Sequence, residues 1–220
     1  MSEIVNYYNN LASTYDQDRF DNSYGRFIDC QERNILDSLL TNKEEEILDL
    51  ACGTGRLLNY ASIGVDASAK MIEMARKKFP EKTFLQNEAN QITLQDNSVD
   101  TIISFHFFMH LDHSKINQVL EESHRVLKKN GRIIFDIPSQ KRRNLFGYKK
   151  ENWHGAFSLS VEDFKEDPNF KIRRTFGFLF FPIHRFPEFC RKSLIKLDSF
   201  LANSFLKEYS SYLIIELEKK

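Results

Sequence analysis

Apolar residues first recur at helical spacing. Ile4, Tyr7, Tyr8, Leu11 and Tyr15 predict a helix over residues 3–15, and Ile28, Ile35, Leu36 and Leu39 a second over 26–40, with a loop at 16–25. The pattern then shortens. Residues 47–50 form an apolar run, break at Gly53 and Gly55, and resume at Leu57 and Leu58, which reads as strand, tight turn and helix start. A second short strand ends at Asp66, and a helix over 68–78 follows, with Ser68 as N-cap and Pro80 just past its end. Strands are predicted at 83–86 and at 100–105, the latter nearly all apolar as a buried parallel strand should be. A helix over 116–127 stops at Asn130-Gly131, where Lys128 and Lys129 suit the negative end of its dipole. Strands at 132–137, 171–181 and 211–217 complete the set. Between the last two, Cys190, Leu194, Leu197, Leu201 and Phe205 recur at helical spacing and predict a cap helix at about 187–207.

Short strands alternating with helices imply an α/β fold with a mostly parallel, doubly wound sheet. Only residues 56–61 remain for a helix between the first two strands, under two turns at about 3.6 residues per turn. One face of the sheet is therefore expected to be thinly covered there.

The glycine bend carries the first candidate chemistry. Gly53 and Gly55 lack a β-carbon, so a ligand can lie against the backbone, and N–H groups at the following helix start can reach it. Asp49 lies near the end of the first strand and Asp66 at the end of the second, where an acid accepts hydrogen bonds from ribose hydroxyls in nucleotide-binding folds. A dehydrogenase fingerprint would need a third glycine where Leu58 stands, and a phosphate-binding loop would need a Gly-Lys-Ser/Thr ending that is absent.

Asp49-Leu50-Ala51-Cys52-Gly53-Thr54-Gly55, followed by Gly64-Val65-Asp66-Ala67-Ser68, resembles the class I (Rossmann-like) S-adenosylmethionine-dependent methyltransferases of small-molecule type. The likeness continues, in order, through 70–75, 86–94, 96–104 and 125–135, and covers roughly residues 45–138. It implies a seven-stranded sheet with an antiparallel last strand, an N-terminal helical lid over 1–40, and a helical insertion before the last strand. The chain would be one domain, with 45–138 holding S-adenosylmethionine and 139–220 facing the substrate. By the same resemblance, the cofactor is held by Asp49, Ala51, Gly53, Gly55, Asp66, Ala67, Met71, Glu88, Ala89 and Phe105, with Tyr15 and Arg19 reaching it from the lid. Asp66 would take the ribose, Gly53 and Gly55 the methionine end, and Glu88 with the Ala89 N–H the adenine. The lid aromatics also suit plain packing of the first helix.

His106, His110 and His113 lie close to Asp112, at the rim where the methyl donor would sit. No glutamate follows His106 in the zinc-protease pattern and no cysteine joins, so a metal is not expected. His110 and His106 are instead the candidate catalytic bases, with packing or capping as the competing role.

Composition narrows the partners. At 220 residues the chain suits one domain, and its formal net charge of zero gives no global field toward nucleic acid or an anionic membrane. No apolar run reaches membrane-spanning length, and residues 1–4 do not read as a signal peptide. Three widely spaced cysteines suit a reducing, cytoplasmic setting, with Cys52 a small buried thiol rather than a nucleophile. The 20 phenylalanines exceed what an ordinary core needs, so some should line a pocket or cap. Lys141, Arg142, Arg143, Lys149 and Lys150 form a basic patch, readable as a solvated loop or as an RNA contact, and Trp153-His154-Gly155 is a candidate substrate-facing stretch. The expected partner is a small-molecule methyl acceptor rather than nucleic acid or membrane, for a monomer or homodimer. An RNA-modifying enzyme and a non-catalytic binding protein remain the alternatives.

Overall fold

The computed structural model describes residues 3–147, 157 and 159–220. Three helices come first, α1 (Glu3–Leu11), α2 (Tyr15–Arg19) and α3 (Ser23–Leu39), then strands β1 (Ile47–Leu50) and β2 (Ile63–Asp66). Helix α4 (Ala69–Lys78), β3 (Thr83–Gln86), β4 (Val99–Ser104), α5 (His113–Val126) and β5 (Leu127–Pro138) follow. The chain closes with α6 (Gln140–Leu145), β6 (Phe170–Phe178), α7 (Glu188–Ala202) and β7 (Tyr212–Lys219).

The seven strands form one sheet in the order β3-β2-β1-β4-β5-β7-β6. The first five are mutually parallel, and β7 runs antiparallel to both β5 and β6. Strand order reverses between β1 and β4, and in such sheets a crevice opens beyond the carboxyl ends of the strands at that point.

The pleat assigns each residue a layer. Leu48 and Leu50 of β1 face one way, into a core with Ile102, Ile133, Phe135 and the α5 residues Val119 and Leu120. Ile47 faces the other way, against Phe27, Leu36 and Leu39 of α3, with Ile103 and Ile134. Among the described residues no helix is long and apolar enough to cross a membrane.

Several expectations are corrected. No helix forms between β1 and β2: residues 53–60 are turns. Six residues are too few to complete a stable helical stretch and return to the sheet. The expected bare face is covered nonetheless, because α3 packs over Leu57, Leu58 and Ala61. The first helix ends at Leu11, and the predicted loop at 16–25 holds α2 and the start of α3. Helix α5 ends at Val126, and Lys128 lies in β5, paired with Asp100 at 2.7 Å instead of capping a helix. Asn130 takes φ 61°, where asparagine is tolerated.

Helix α7 does not roof the crevice. It packs against α3 and β6, anchored by buried Asp198, which accepts from Gln31 Nε2 at 2.6 Å and from the backbone N–H groups of Phe180 and Phe181 at 3.1 and 2.7 Å. Lys149, Lys150 and Trp153-His154-Gly155 lie outside the described residues.

Candidate functional site

The loop leaving β1 is shaped by three positive φ angles, at Ala51 (60°), Gly53 (54°) and Gly55 (86°). The two glycines serve different ends. A β-carbon on Gly53 would meet no atom within 4 Å, whereas one on Gly55 would lie 2.9 Å from Leu58 Cδ1. Gly53 therefore opens onto free space, and Gly55 makes room for the core. Both glycine N–H groups are already engaged within the fold. Gly55 N–H donates to Cys52 O at 2.9 Å, and Gly53 N–H to Asp66 Oδ2 at 2.9 Å.

Asp66 joins this loop to the next. Its other oxygen accepts from Ser68 N–H at 2.8 Å. Each carboxylate oxygen thus spends one lone pair on backbone, leaving capacity for two further donors. Burial pushes the Asp66 carboxyl up to about 6, the two backbone donors pulling the other way. Ser68 caps α4 by accepting from Met71 N–H, and its hydroxyl lies 2.7 Å from Asn9 Oδ1 of α1. The N-terminal segment is thereby fastened to the edge of the crevice.

A cavity of about 530 Å3 fills the crevice. Tyr15, Ala51, Gly53, Asp66, Ala67, Met71, Glu88, Ala89, Phe105, His106 and His110 all line it, drawn from five separate parts of the chain. Three expected residues lie elsewhere. Arg19 is exposed, its guanidinium 3.5 Å from Tyr7 Oη. Gly55 faces the core. Asp49 points to the α3 layer, as the pleat requires of a residue between Leu48 and Leu50, and burial pushes its carboxyl up to about 8 although Arg56 pulls it down.

The two histidines differ. His106 has φ 58° and sits among buried charges. Its Nε2 lies 2.7 Å from Glu32 Oε1, its Nδ1 3.6 Å from Asp136 Oδ2, and its backbone N–H donates to Asp136 Oδ1 at 2.6 Å. Arg56 Nη1 holds the other Glu32 oxygen at 2.8 Å. Burial alone would lower the His106 pKa, but the two carboxylates win and raise it. Burial opposes ionisation of Glu32 too, and there Arg56 and His106 win, holding it below the usual range. The Asp136 carboxyl is raised to about 6, by burial first. The two carboxylates thus favour the charged form of His106, which suits fixing charge more than accepting a proton.

His110 is buried, with Nε2 3.1 Å from Tyr8 Oη. Burial pushes the Tyr8 phenol well up, so it stays neutral and can donate to an unprotonated imidazole. Burial likewise raises the Cys52 thiol well above its ordinary value, in keeping with an inert core role.

Glu32, Asp136 and Tyr8 were missed as site residues. A signal existed for two of them. Glu32 interrupts the apolar face of α3 between Ile28 and Ile35, and Asp136 interrupts the run from Ile133 to Ile137; a carboxylate in such a place needs a buried partner. The basic patch is largely engaged within the fold. Lys141 pairs with Glu208, Arg142 donates to Phe180 O and Tyr209 O, and Arg143 to Phe157 O.

Comparison with known proteins gives the same outline. A family model described as a methyltransferase domain matches residues 48–135. An uncharacterized protein of Methanocaldococcus jannaschii is 28% identical over 96% of this chain and 88% of its own length. A demethylmenaquinone methyltransferase of Thermotoga maritima is 32% identical over 58% of this chain, which spans only 58% of that protein. Among solved structures, an S-adenosylmethionine-dependent methyltransferase of Thermotoga maritima, described as a possible histamine N-methyltransferase, superimposes with TM-score 0.71 at 21% identity, covering 97% of this chain and 98% of that one. Synechocystis magnesium protoporphyrin IX methyltransferase with bound S-adenosylmethionine gives TM-score 0.62 at 15% identity, covering 100% and 99%.

Proposed function

We propose that this chain is a class I S-adenosylmethionine-dependent methyltransferase that methylates an O, N or C nucleophile of a small, largely apolar molecule. One observation carries the reading: a single cavity gathers the glycine bend, Asp66, Glu88 and Ala89 together with the Tyr8–His110 pair. The residues fit the cofactor. Asp66 has two acceptor positions to spare for ribose hydroxyls, and the open space beside Gly53 is room that any larger side chain there would fill. Glu88 and Ala89 would meet the adenine, Met71 and Phe105 its apolar faces, and Tyr15 the methionine end.

When bound, S-adenosylmethionine supplies a methyl carbon whose bond to sulfur breaks as the bond to the acceptor forms, the electron pair staying on sulfur. The protein's own residues supply alignment and dryness. Tyr8 and Tyr15 on α1 and α2 cover the crevice and exclude water, and the α1–α4 tie through Asn9 and Ser68 holds that cover. Where the acceptor arrives protonated, His110 Nε2 takes the proton, in place of the hydrogen bond from Tyr8. His106, held between Glu32 and Asp136, fixes the wall of the cavity.

The apolar lining from Ile4, Val5, Phe107 and Leu111 favours an aromatic or quinol-like acceptor, and a relative is named for demethylmenaquinone. Calorimetry with S-adenosylmethionine tests the cofactor; incubation with labelled donor and quinol, phenol and arylamine panels tests transfer. Absence of binding at millimolar donor would remove the reading. Labelled RNA as the sole product would replace the acceptor class.

A further inference from the structure

Helix α7 carries an apolar face that the fold leaves bare. Phe189 is 84% exposed, Phe200 73% and Leu197 49%. Phe189, Lys192, Lys196 and Phe200 are spaced by three, four and four residues and so share one side of the helix. Both lysines are exposed, and among the described residues neither forms an ion pair. The helix cannot roll to hide this face. Its opposite side is fixed by Asp198, which accepts from Gln31, Phe180 N–H and Phe181 N–H, and by buried Ala202.

Topology places the helix near the cavity's end of the sheet. β5 and β6 both pair antiparallel with β7, so β6 runs in the direction of β1, β2 and β4. The chain leaves β6 at Phe178 on the edge where those strands feed the cavity, and α7 follows ten residues on, starting at Glu188.

We propose that the Phe189–Phe200 face of α7 docks on an anionic lipid surface, with the phenylalanines entering the interface and Lys192 and Lys196 meeting the headgroups. Fifteen residues make a helix of about 22 Å, which suits lying in the interface rather than spanning it. A second copy of the chain fits the face less well. A two-fold contact would set Lys192 and Lys196 against their own counterparts, and the neighbouring acid, Glu188, already accepts from Ser23 at 2.8 Å. The chain's zero net charge, which argues against a membrane partner for the molecule as a whole, removes long-range attraction only. Attraction confined to one face acts at contact distance. The inference is independent of the methyl acceptor, though a face at the cavity's end of the sheet suits an acceptor held in a bilayer.

The test is co-sedimentation of the full chain with vesicles of phosphatidylglycerol and phosphatidylcholine in equal parts, against phosphatidylcholine alone. The expected result is binding to the anionic vesicles that weakens with added salt. Phe189→Ser with Phe200→Ser should weaken it roughly tenfold or more, and Lys192→Glu with Lys196→Glu comparably. These side chains are exposed, so unchanged circular dichroism and melting should accompany both variants. Failure to sediment with either vesicle overturns the proposal, as does equal sedimentation of wild type and variants. Lipid-free, concentration-dependent dimerisation abolished by the phenylalanine pair would also overturn it, in favour of a self-association face.

Discussion

Asp66→Asn is the substitution that separates the proposed ribose contact from mere architecture. The carboxylate already accepts from Gly53 and Ser68 N–H at 2.9 and 2.8 Å. Two hydroxyls from the cavity side would complete its four acceptor positions. An asparagine keeps one oxygen, while its NH2 opposes one backbone N–H as well as a hydroxyl, so a melting curve is read beside the binding. Hydrogen bonds to a charged group contribute about 1.5–3 kcal/mol, so the affinity for S-adenosylmethionine should fall about 10- to 150-fold. A pH series adds an internal control. With the Asp66 carboxyl raised to about 6 in the free protein, the ionised form that accepts hydroxyls is the minority at acid pH. At about pH 5 roughly one molecule in ten is ionised, which costs about 1.4 kcal/mol of binding, or tenfold.

The sign follows from which form binds. Hydroxyl donors favour the carboxylate, so affinity rises with pH through about 6 and levels off above it. Asp136, also raised to about 6, titrates in the same window, but it is present in wild type and variant alike and so drops out of the comparison. Isothermal calorimetry from about pH 5 to pH 8 should therefore show a tenfold rise for wild type, and a weak, nearly flat profile for Asp66→Asn. Equal affinities, or a slope that survives the substitution, would refute the ribose role.

The sheet was legible because its signals are local. β1, β2 and β5 are apolar runs closed by Gly53, Asp66 and Pro138, β4 is apolar along most of its length, and Ser68 announced α4 by a cap that the structure contains. What escaped depends on distant contacts. The short α2 has no periodicity long enough to read; it is stabilised from outside, with Asp16 accepting from Thr54 Oγ1 at 2.5 Å. The amphipathic pattern of α7 revealed a helix, yet its position depends on Asp198 meeting Gln31 from 167 residues away. In the site, contiguous motifs such as the glycine bend and Glu88-Ala89 reached the cavity, whereas the Glu32–His106–Asp136 cluster joins three elements that no spacing rule connects. Arg19 and Asp49 are the converse case: both have suitable chemistry at a plausible place in the chain, but neither is among the residues that line the cavity.

Gly53→Ala should cost only about 1–2 kcal/mol of stability, from its φ of 54° and with no clash, yet weaken donor binding far more by filling the bend; normal binding would place the cofactor elsewhere. At Gly177 a β-carbon would collide with the Ala202 carbonyl oxygen and Ser210 Oγ, so Gly177→Ala should lower stability by about 1–3 kcal/mol in denaturant titration while leaving cavity residues in place. Glu32→Gln keeps the shape of a fully buried side chain but removes the carboxylate shared by Arg56 and His106, leaving Arg56 to Asp29 at 2.6 Å and His106 to Asp136 at 3.6 Å, at a cost of about 1–3 kcal/mol. The pH dependence of that cost has a definite sign. The depressed Glu32 pKa gives stability that is present above the ordinary glutamate value of 4.5 and lost as pH falls through the lowered one. The raised His106 pKa gives stability that is full below the ordinary 6.5 and lost as pH rises through the raised one. Wild type should therefore exceed the variant most between these two values, with the gap narrowing on either side. A gap that is constant across pH would mean that Glu32 stabilises by packing alone, and the buried ion pair would contribute nothing to the fold.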